Sequence, residues 1–158
     1  MMKTIYLGAD HAGFALKEKV KQWLDKNRIS YDDCGNTFLD KNDDYPDFAG
    51  AVGKKVVKSH SFGILFCGSA EGMCIAANKI KGVRAVNPPD MLKAKLSREH
   101  NDANILCLGG GKTRQPQPGT SFSLATKMIW IFLTTPFSGE VRHIRRLDKI
   151  RKLESLKK

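Results

Sequence analysis

Short apolar runs alternate with amphipathic segments along most of the chain, and this alternation limits the fold more than any other feature. The apolar runs are TIYLGAD, ISYDDCG, FGILFCG, GVRAV and ILCLGG. The segments between them place apolar residues on one helix face, as Leu16, Val20 and Leu24 do in the first. Apolar, β-branched strands that alternate with helices predict an α/β fold, with a parallel sheet covered on both faces.

The excess of positive charge favours an anionic partner. The 158 residues carry a net charge of +11, and residues 142–158 alone hold eight Lys or Arg against two acids. Such an excess favours either nucleic acid or a small anionic substrate. We expect a single domain over residues 1–158 that ends in a basic helix.

The apolar segments are too short for a membrane protein. A membrane span needs roughly 18 apolar residues, and the run MIWIFL is far shorter. The N-terminal MMKTIYLGAD meets Asp10 after a short apolar run, which is typical of a strand rather than a signal peptide. We therefore expect a cytoplasmic protein with no membrane partner.

The four cysteines lack the spacing of a metal site. Cys34, Cys67, Cys74 and Cys107 form no C-x-x-C pair and show no zinc-ligand spacing. Without a secretory signal, we expect free thiols in a reducing compartment and no bound metal.

Ligands bind beyond the carboxyl ends of the strands in open parallel sheets, so the residues that follow three of the predicted strands are candidates for a site. They are Asp10 and His11, Cys67 to Gly72, and Gly109 to Lys112. The motif GADHAG differs from the dinucleotide fingerprint G-x-G-x-x-G, because Asp10 stands at the second glycine. Asp10 and His11 could instead bind hydroxyls and a phosphate. The alternative is that Asp10 caps a helix and His11 is an ordinary surface residue.

The segment GGGKT resembles a phosphate-binding P-loop but lacks two of its features. A P-loop requires glycine where this chain has Leu106. The residues that follow, RQPQPG, cannot begin the helix that a P-loop needs. This excludes a P-loop NTPase.

Cys67 ends the strand FGILFCG and precedes a glycine-rich turn. We expect the backbone amides of this turn and the next helix to lower the pKa of Cys67, which would make it the most reactive of the four thiols. The same amides could hold an oxyanion that forms during a reaction. The alternative is a cysteine that only packs in the core.

Arg142 and Arg146 lie four residues apart, and therefore on one face of the predicted last helix. Two guanidinium groups on one face suit a phosphate. The alternative is a basic helix that is merely solvated.

Taken together, these segments resemble the RpiB/LacA/LacB family of sugar-phosphate isomerases. The similar segments follow the family's order and are LGADHAGFALKEKV, DDYPDFA, CGSAEGMCIAANKIKGVRA, LSREHNDANILCLGG and FLTTPFSGEVRHIRRLDKI. The resemblance implies a Rossmann-like three-layer α/β/α sandwich with a five-stranded parallel sheet. It also implies a homodimer or tetramer with active sites between subunits, and isomerisation of a sugar phosphate without metal or cofactor.

The resemblance further implies roles for the catalytic residues. Cys67 corresponds to the general base that moves a proton between C2 and C1 of the sugar. Ser69 and the amides from Gly68 to Gly72 correspond to the group that holds the enediolate. His100 corresponds to the residue that opens the furanose ring.

It implies substrate-binding roles as well. Asn101 lies beside the ring-opening group, and Asp10 is expected to bind sugar hydroxyls. His11, Arg142 and Arg146 are expected to bind the phosphate.

The chain departs from the family pattern at two places. Ala70 and Glu71 fill the middle of the anion-binding loop, and an alanine at positive φ costs about 1 kcal/mol. We expect Glu71 to point outward, since its charge would repel an enediolate. Gly111 stands where relatives often have a phosphate-binding arginine, for which Lys112 or Arg114 could substitute.

Three functions remain open from the sequence. The first is interconversion of ribose 5-phosphate and ribulose 5-phosphate, a step of the pentose phosphate pathway. The second is the same chemistry on a six-carbon sugar phosphate such as galactose or allose 6-phosphate. The third is a non-catalytic anion or nucleic-acid binder, against which stands the lack of interleaved aromatic residues for base stacking. We therefore expect no nucleic-acid partner.

Overall fold

The computed structural model describes residues 3–111 and 118–156. Strands and helices alternate along these residues as the sequence predicts. In chain order they are β1 Ile5–Ala9, α1 Phe14–Lys26, β2 Tyr31–Asp33, α2 Tyr45–Ser59, β3 Gly63–Cys67, α3 Glu71–Ala77, β4 Ala85–Val86, α4 Met91–Asn101, β5 Ile105–Gly109, α5 Phe122–Thr134 and α6 Val141–Ser155.

The five strands form one parallel sheet in the order β2-β1-β3-β5-β4. The central strands β3 and β5 are buried at every residue, as expected for strands covered on both faces. Their register pairs Gly63 with Ile105 at one end and Cys67 with Gly109 at the other. The carboxyl ends of these strands therefore lie side by side, which confirms the predicted fold class.

Two apolar cores lie on opposite faces of the sheet. On one face, α1, α4 and α5 pack against side chains such as Leu7, Phe66 and Leu108. On the other face, α2 and α3 pack against Leu65 and Cys107. Alternate residues of each strand enter opposite cores, which produces the predicted α/β/α layers.

Local signals fix several helix starts. Asp90 caps α4 by accepting a 2.8 Å hydrogen bond from the backbone N of Lys93, and Pro46 lies in the first turn of α2. Helix α3 begins at Glu71, two residues before the predicted MCIAANKI segment. The anion loop is therefore shorter than the sequence indicated.

A buried charge ties α1 to the loop after β2. The ammonium of Lys17 is fully buried and lies 2.6 Å from Asp33 Oδ1 and 2.6 Å from the carbonyl oxygen of Asn36. Burial acts to raise the pKa of Asp33, but hydrogen bonds from Lys17 and Lys21 outweigh it and hold that pKa below its usual value. Among the helices within residues 3–111 and 118–156, none has the length and apolar character to cross a membrane.

Candidate active site

The loops after β1, β3 and β5 meet at one edge of the sheet, as the sequence predicts. The backbone N of Asp10 donates a 3.2 Å hydrogen bond to the carbonyl of Phe66, and that of Gly110 donates a 2.7 Å bond to the carbonyl of Cys67. These bonds connect all three loops directly. The candidate residues from GADHAG and FCGSAEGM therefore share one site.

Glycines permit this close approach of the loops. A Cβ atom on Gly13 would lie 2.3 Å from the carbonyl carbon of Phe66, and one on Gly110 would lie 2.3 Å from the carbonyl oxygen of Ala12. Both neighbours are backbone atoms, which cannot move aside as a flexible side chain would. Any side chain at either position would push the loops apart.

Cys67 lies at the end of β3 and is 4% exposed. Burial raises the pKa of its thiol, and the negative charge of Asp10 acts in the same direction. Hydrogen bonds from the backbone amides of Met73, Ala70 and Ser69 act to lower that pKa but do not outweigh burial. The amides surround the thiol as expected, but the expectation of a lowered pKa is wrong for this chain because burial is the larger effect.

The turn after Cys67 accommodates an unusual alanine. Ala70 is buried and adopts a left-handed conformation, with φ 72° and ψ −17°. Ala70 thus has the positive φ that was considered from the sequence, and this conformation costs about 1 kcal/mol relative to glycine. Glu71 begins α3 and is exposed, in agreement with the expected outward orientation. Its backbone N lies 3.4 Å from Ser69 Oγ.

Tyr45 covers Gly72 of the anion loop. A Cβ atom on Gly72 would lie 2.8 Å from Cζ of the Tyr45 ring, so the two residues are in close contact. Tyr45 is the first residue of α2 and belongs to the segment DDYPDFA, which resembles the family, but it was not predicted as a site residue. Its contact with the loop is made across 27 positions of the chain, which no local pattern reveals.

Asp10 lies at the candidate site, where its side chain also stabilises the loop before α1. Its Oδ1 accepts hydrogen bonds of 3.0 Å from the backbone N atoms of Ala12 and Gly13, and so holds the turn that leads into α1. The N-cap of α1 is Gly13, and no side chain caps the helix, so the alternative of Asp10 as a helix cap is wrong. Within the described residues, its Oδ2 makes no hydrogen bond. Burial raises the pKa of Asp10, and the opposing hydrogen bonds from Gly13 and Ala12 do not cancel this.

His11 lies beside a cavity of about 340 Å³ that is also lined by Phe14, Leu39 and Lys41. Its side chain is 40% exposed, and its Nδ1 lies 2.7 Å from Asp43 Oδ1. Sequence reasoning missed Asp43, which lies 32 positions away. The only sequence signal near Asp43 was the segment DDYPDFA, which begins at this residue and resembles the family.

The other predicted residues form a second cluster, on α4 and α6. The ring of His100 lies 4.4 Å from that of His143, centroid to centroid. His143 is buried, its Nδ1 lies 2.6 Å from Ser138 Oγ, and burial lowers its pKa. Arg142 and Arg146 are exposed on the same helix, where their charges also act on His143. His143 was part of the noted RHIRR segment but was not predicted as a site residue.

The two clusters lie near opposite ends of the sheet. Cys67 is at the carboxyl end of β3, whereas His100 and Asn101 immediately precede the short link to Ile105, where β5 begins. A five-residue strand spans roughly 13 Å, so a comparable distance separates the two ends. One copy of the chain therefore brings together the residues of each cluster but does not bring His100 to Cys67.

Gly111, which stands where relatives often have an arginine, is described by the structure, whereas neither candidate replacement is. Gly111 adopts a positive φ of 73° at the edge of the site. Lys112 and Arg114, the two candidates from the sequence, fall outside residues 3–111 and 118–156. Their role remains a prediction.

The family model "Ribose/Galactose Isomerase" matches residues 5–150. The chain is 38% identical to a probable ribose-5-phosphate isomerase B of Mycoplasma genitalium, covering 98% of this chain and 97% of that protein. It is 37% identical to ribose-5-phosphate isomerase B of Mycobacterium tuberculosis, covering 95% and 89%.

Solved structures show the same similarity. Ribose-5-phosphate isomerase B of Mycoplasma genitalium with bound ribulose-5-phosphate superposes with a TM-score of 0.87 at 38% identity, covering 99% of each chain. The type B enzyme of Trypanosoma cruzi gives 0.86 at 40% identity, covering 98% of each. From sequence, fold and relatives together, this chain belongs to the ribose/galactose isomerase family.

Proposed function

We propose that this protein is an aldose–ketose isomerase that interconverts ribose 5-phosphate and ribulose 5-phosphate. The observation that carries the proposal is the surrounding of Cys67 by backbone amides at the carboxyl edge of the sheet. Relatives that match nearly the whole chain bear the name ribose-5-phosphate isomerase B, and one solved relative holds ribulose-5-phosphate. The reaction is a step of the pentose phosphate pathway.

Cys67 acts as the general base. Its thiolate removes the proton from C2 of the open-chain aldose, the C1–C2 double bond forms, and negative charge moves onto O1. A proton then passes from O2 to O1, the C2 carbonyl forms, and the Cys67 thiol returns its proton to C1. The step is redox-neutral overall and needs no co-reactant.

The turn that follows Cys67 stabilises the intermediate. The enediolate is an anion, and fixed amide donors in a buried site stabilise developing negative charge more effectively than water does. Ser69 and the amides from Gly68 to Gly72 supply these donors. Asp10 binds sugar hydroxyls through Oδ2, while Oδ1 holds the turn before α1.

A second copy of the chain completes the site. His100 opens the furanose ring and Asn101 lies beside it, yet both lie far from Cys67 of their own chain. The active unit is therefore a homodimer or a tetramer in which each site takes one cluster from each of two copies. Arg142 and Arg146 come with His100 and bind the substrate phosphate together with His11.

A second candidate is the same reaction on a six-carbon sugar phosphate. The family description includes galactose isomerases, and Ala70 and Gly111 are the departures that bear on substrate choice. The free thiols at all four cysteines fit a reducing compartment such as the cytoplasm.

One assay across a panel of aldose phosphates, with EDTA present, tests the proposal. We expect the highest kcat/KM with ribose 5-phosphate and no loss on adding EDTA. A higher kcat/KM with galactose or allose 6-phosphate would favour the second candidate. Failure to isomerise any of them would favour a non-catalytic anion binder.

A further inference from the structure

One carboxylate holds His11 at two points. Asp43 Oδ1 lies 2.7 Å from the ring Nδ1 of His11 and 2.9 Å from its backbone N. The side chain of Asp43 is 5% exposed, whereas that of His11 is 40% exposed. The carboxylate is thus enclosed, whereas part of the His11 side chain is open to solvent.

The carboxylate is itself anchored. Asp43 Oδ2 lies 3.4 Å from Nδ2 of Asn36, and the carbonyl oxygen of Asn36 accepts a 2.6 Å hydrogen bond from the buried ammonium of Lys17. Lys17 belongs to α1, the helix that begins three residues after His11. These contacts therefore link Asp43 to α1, the helix that follows the loop containing His11.

The chemistry of the pair determines which nitrogen is left for a ligand. An ionised carboxylate only accepts hydrogen bonds, so the Nδ1 that faces Asp43 must carry a proton. Nε2 is then the nitrogen available to a ligand. When both nitrogens are protonated, Nε2 is an N–H donor, which is the form that a phosphate oxygen requires.

We propose that Asp43 is a positioning residue for phosphate binding, which keeps the proton of His11 on Nδ1 and directs Nε2 to the phosphate. The inference rests on the proposed function, in which His11 binds the substrate phosphate. The other charged groups near the His11 ring are Asp10, whose charge interacts with it, and Lys41, which lines the same cavity. Neither of them makes a hydrogen bond to the ring within the described residues.

Kinetics provide the first test. Asp43→Ala and Asp43→Leu should raise KM for ribose 5-phosphate roughly tenfold or more while kcat changes little, because each removes the acceptor that keeps the His11 proton on Nδ1 and so weakens a charge-assisted hydrogen bond to the phosphate. Asp40→Asn is the matched control in the same loop. It removes the same charge, and the amide oxygen can still accept the bond from the backbone N of Asn42. Unchanged KM in both Asp43 variants would overturn the proposal.

Nitrogen-15 NMR of the His11 ring provides a second test that needs no turnover, with the signal assigned by its loss in His11→Gln. At pH 9, the His11 ring of the parent protein should carry a proton on Nδ1 and none on Nε2. In Asp43→Ala the proton should move to Nε2. Inorganic phosphate, added at acidic pH, should shift the Nε2 signal more than the Nδ1 signal.

The two tests separate the possible failures. A proton on Nε2 in the parent protein would overturn the inference, and this measurement stands even if the Asp43 variants do not fold. A parent protein that shows the Nδ1 tautomer and the phosphate shift, yet does not isomerise ribose 5-phosphate, would refute the proposed function and support the role of Asp43.

Discussion

The imidazole rings of His100 and His143 pack 4.4 Å apart between α4 and α6, away from Cys67. This pairing joins the proposed ring-opening residue to the helix that carries Arg142 and Arg146. These residues of α4 and α6 can therefore contact a neighbouring copy of the chain together. Because the proposed site is divided between two clusters, variants of each cluster can test whether two copies of the chain share an active site.

Two inactive variants from different clusters should complement each other. We expect Cys67→Ala and His100→Asn to be inactive separately and to regain activity when co-expressed. In a mixed dimer, one of the two sites is intact and the other carries both changes. Random assembly of equal amounts should give about a quarter of the parent activity.

The control for complementation pairs two variants of the same cluster. Cys67→Ala co-expressed with Ser69→Ala should regain nothing beyond the residual activity of the two, because every site then lacks one of these side chains. Equal recovery in both mixtures, or full activity of a monomer in sedimentation experiments, would contradict a site shared between copies.

Removing either phosphate-binding arginine should weaken substrate binding. Arg142→Ala or Arg146→Ala removes a charged hydrogen bond worth roughly 1.5–3 kcal/mol, which corresponds to an increase in KM of at least about tenfold. Arg145→Ala is the matched control, since Arg145 is exposed on the same helix but lies on a different face. Steady-state kinetics that show the same KM in all three variants would identify α6 as a solvated basic helix.

The buried pair of Lys17 and Asp33 should contribute strongly to stability. Lys17→Ala should reduce the free energy of unfolding by about 3 kcal/mol, because Asp33 loses its fully buried partner. Lys19→Ala, at an exposed position of the same helix, should change it by less than about 0.5 kcal/mol. Urea denaturation measures both values, and equal effects would show that the buried pair contributes nothing.

The Lys17–Asp33 pair also makes the free energy of unfolding depend on pH. The pKa of Asp33 in the folded state lies below its usual value, so its contribution is fully present above about pH 4, the unfolded value. It is lost as the pH falls through the lower, folded-state pKa. In Asp33→Asn, the acid-induced fall in the free energy of unfolding should be smaller than in the parent protein.

The location of the first cluster could be predicted because it depends on regular structure. Apolar runs mark β1, β3 and β5, and a parallel sheet places their carboxyl ends together. Asp10 and Cys67 are the residues that follow or end two of these runs, so they were identified from the pattern alone.

The residues that were missed depend on contacts between distant parts of the chain. Asp43 meets His11 across 32 positions and His143 meets His100 across 43, and neither contact leaves a periodic signal. The pKa of Cys67 was predicted in the wrong direction for a related reason. A helix start and adjacent amides are visible in the sequence, whereas the burial that outweighs them results from packing by α2 and α3.

Burial changes the expected order of thiol reactivity. Cys74 is partly exposed, whereas Cys67 is buried and its pKa is raised by that burial. Iodoacetamide should therefore label Cys74 faster than Cys67, opposite to the expectation from sequence. Peptide mass spectrometry over a time course measures the order, and faster labelling of Cys67 would show that its thiol is more accessible than its burial indicates.

The raised pKa of Cys67 should appear in the pH dependence of catalysis. A general base acts only when deprotonated, and kcat/KM reports the pKa values of the free enzyme. Because burial raises the pKa of Cys67 above its ordinary value, kcat/KM should increase with pH through the neutral range.

Cys67→Ala should fold normally and lose about 10² to 10⁴ in kcat, the usual effect of deleting a general base. Cys34→Ala, at a partly exposed thiol on the far side of β1 from β3, should retain parent activity. If Cys67→Ala exchanges the C2 proton of the substrate with solvent at the parent rate, another residue is the base, and Glu71 is the first to examine.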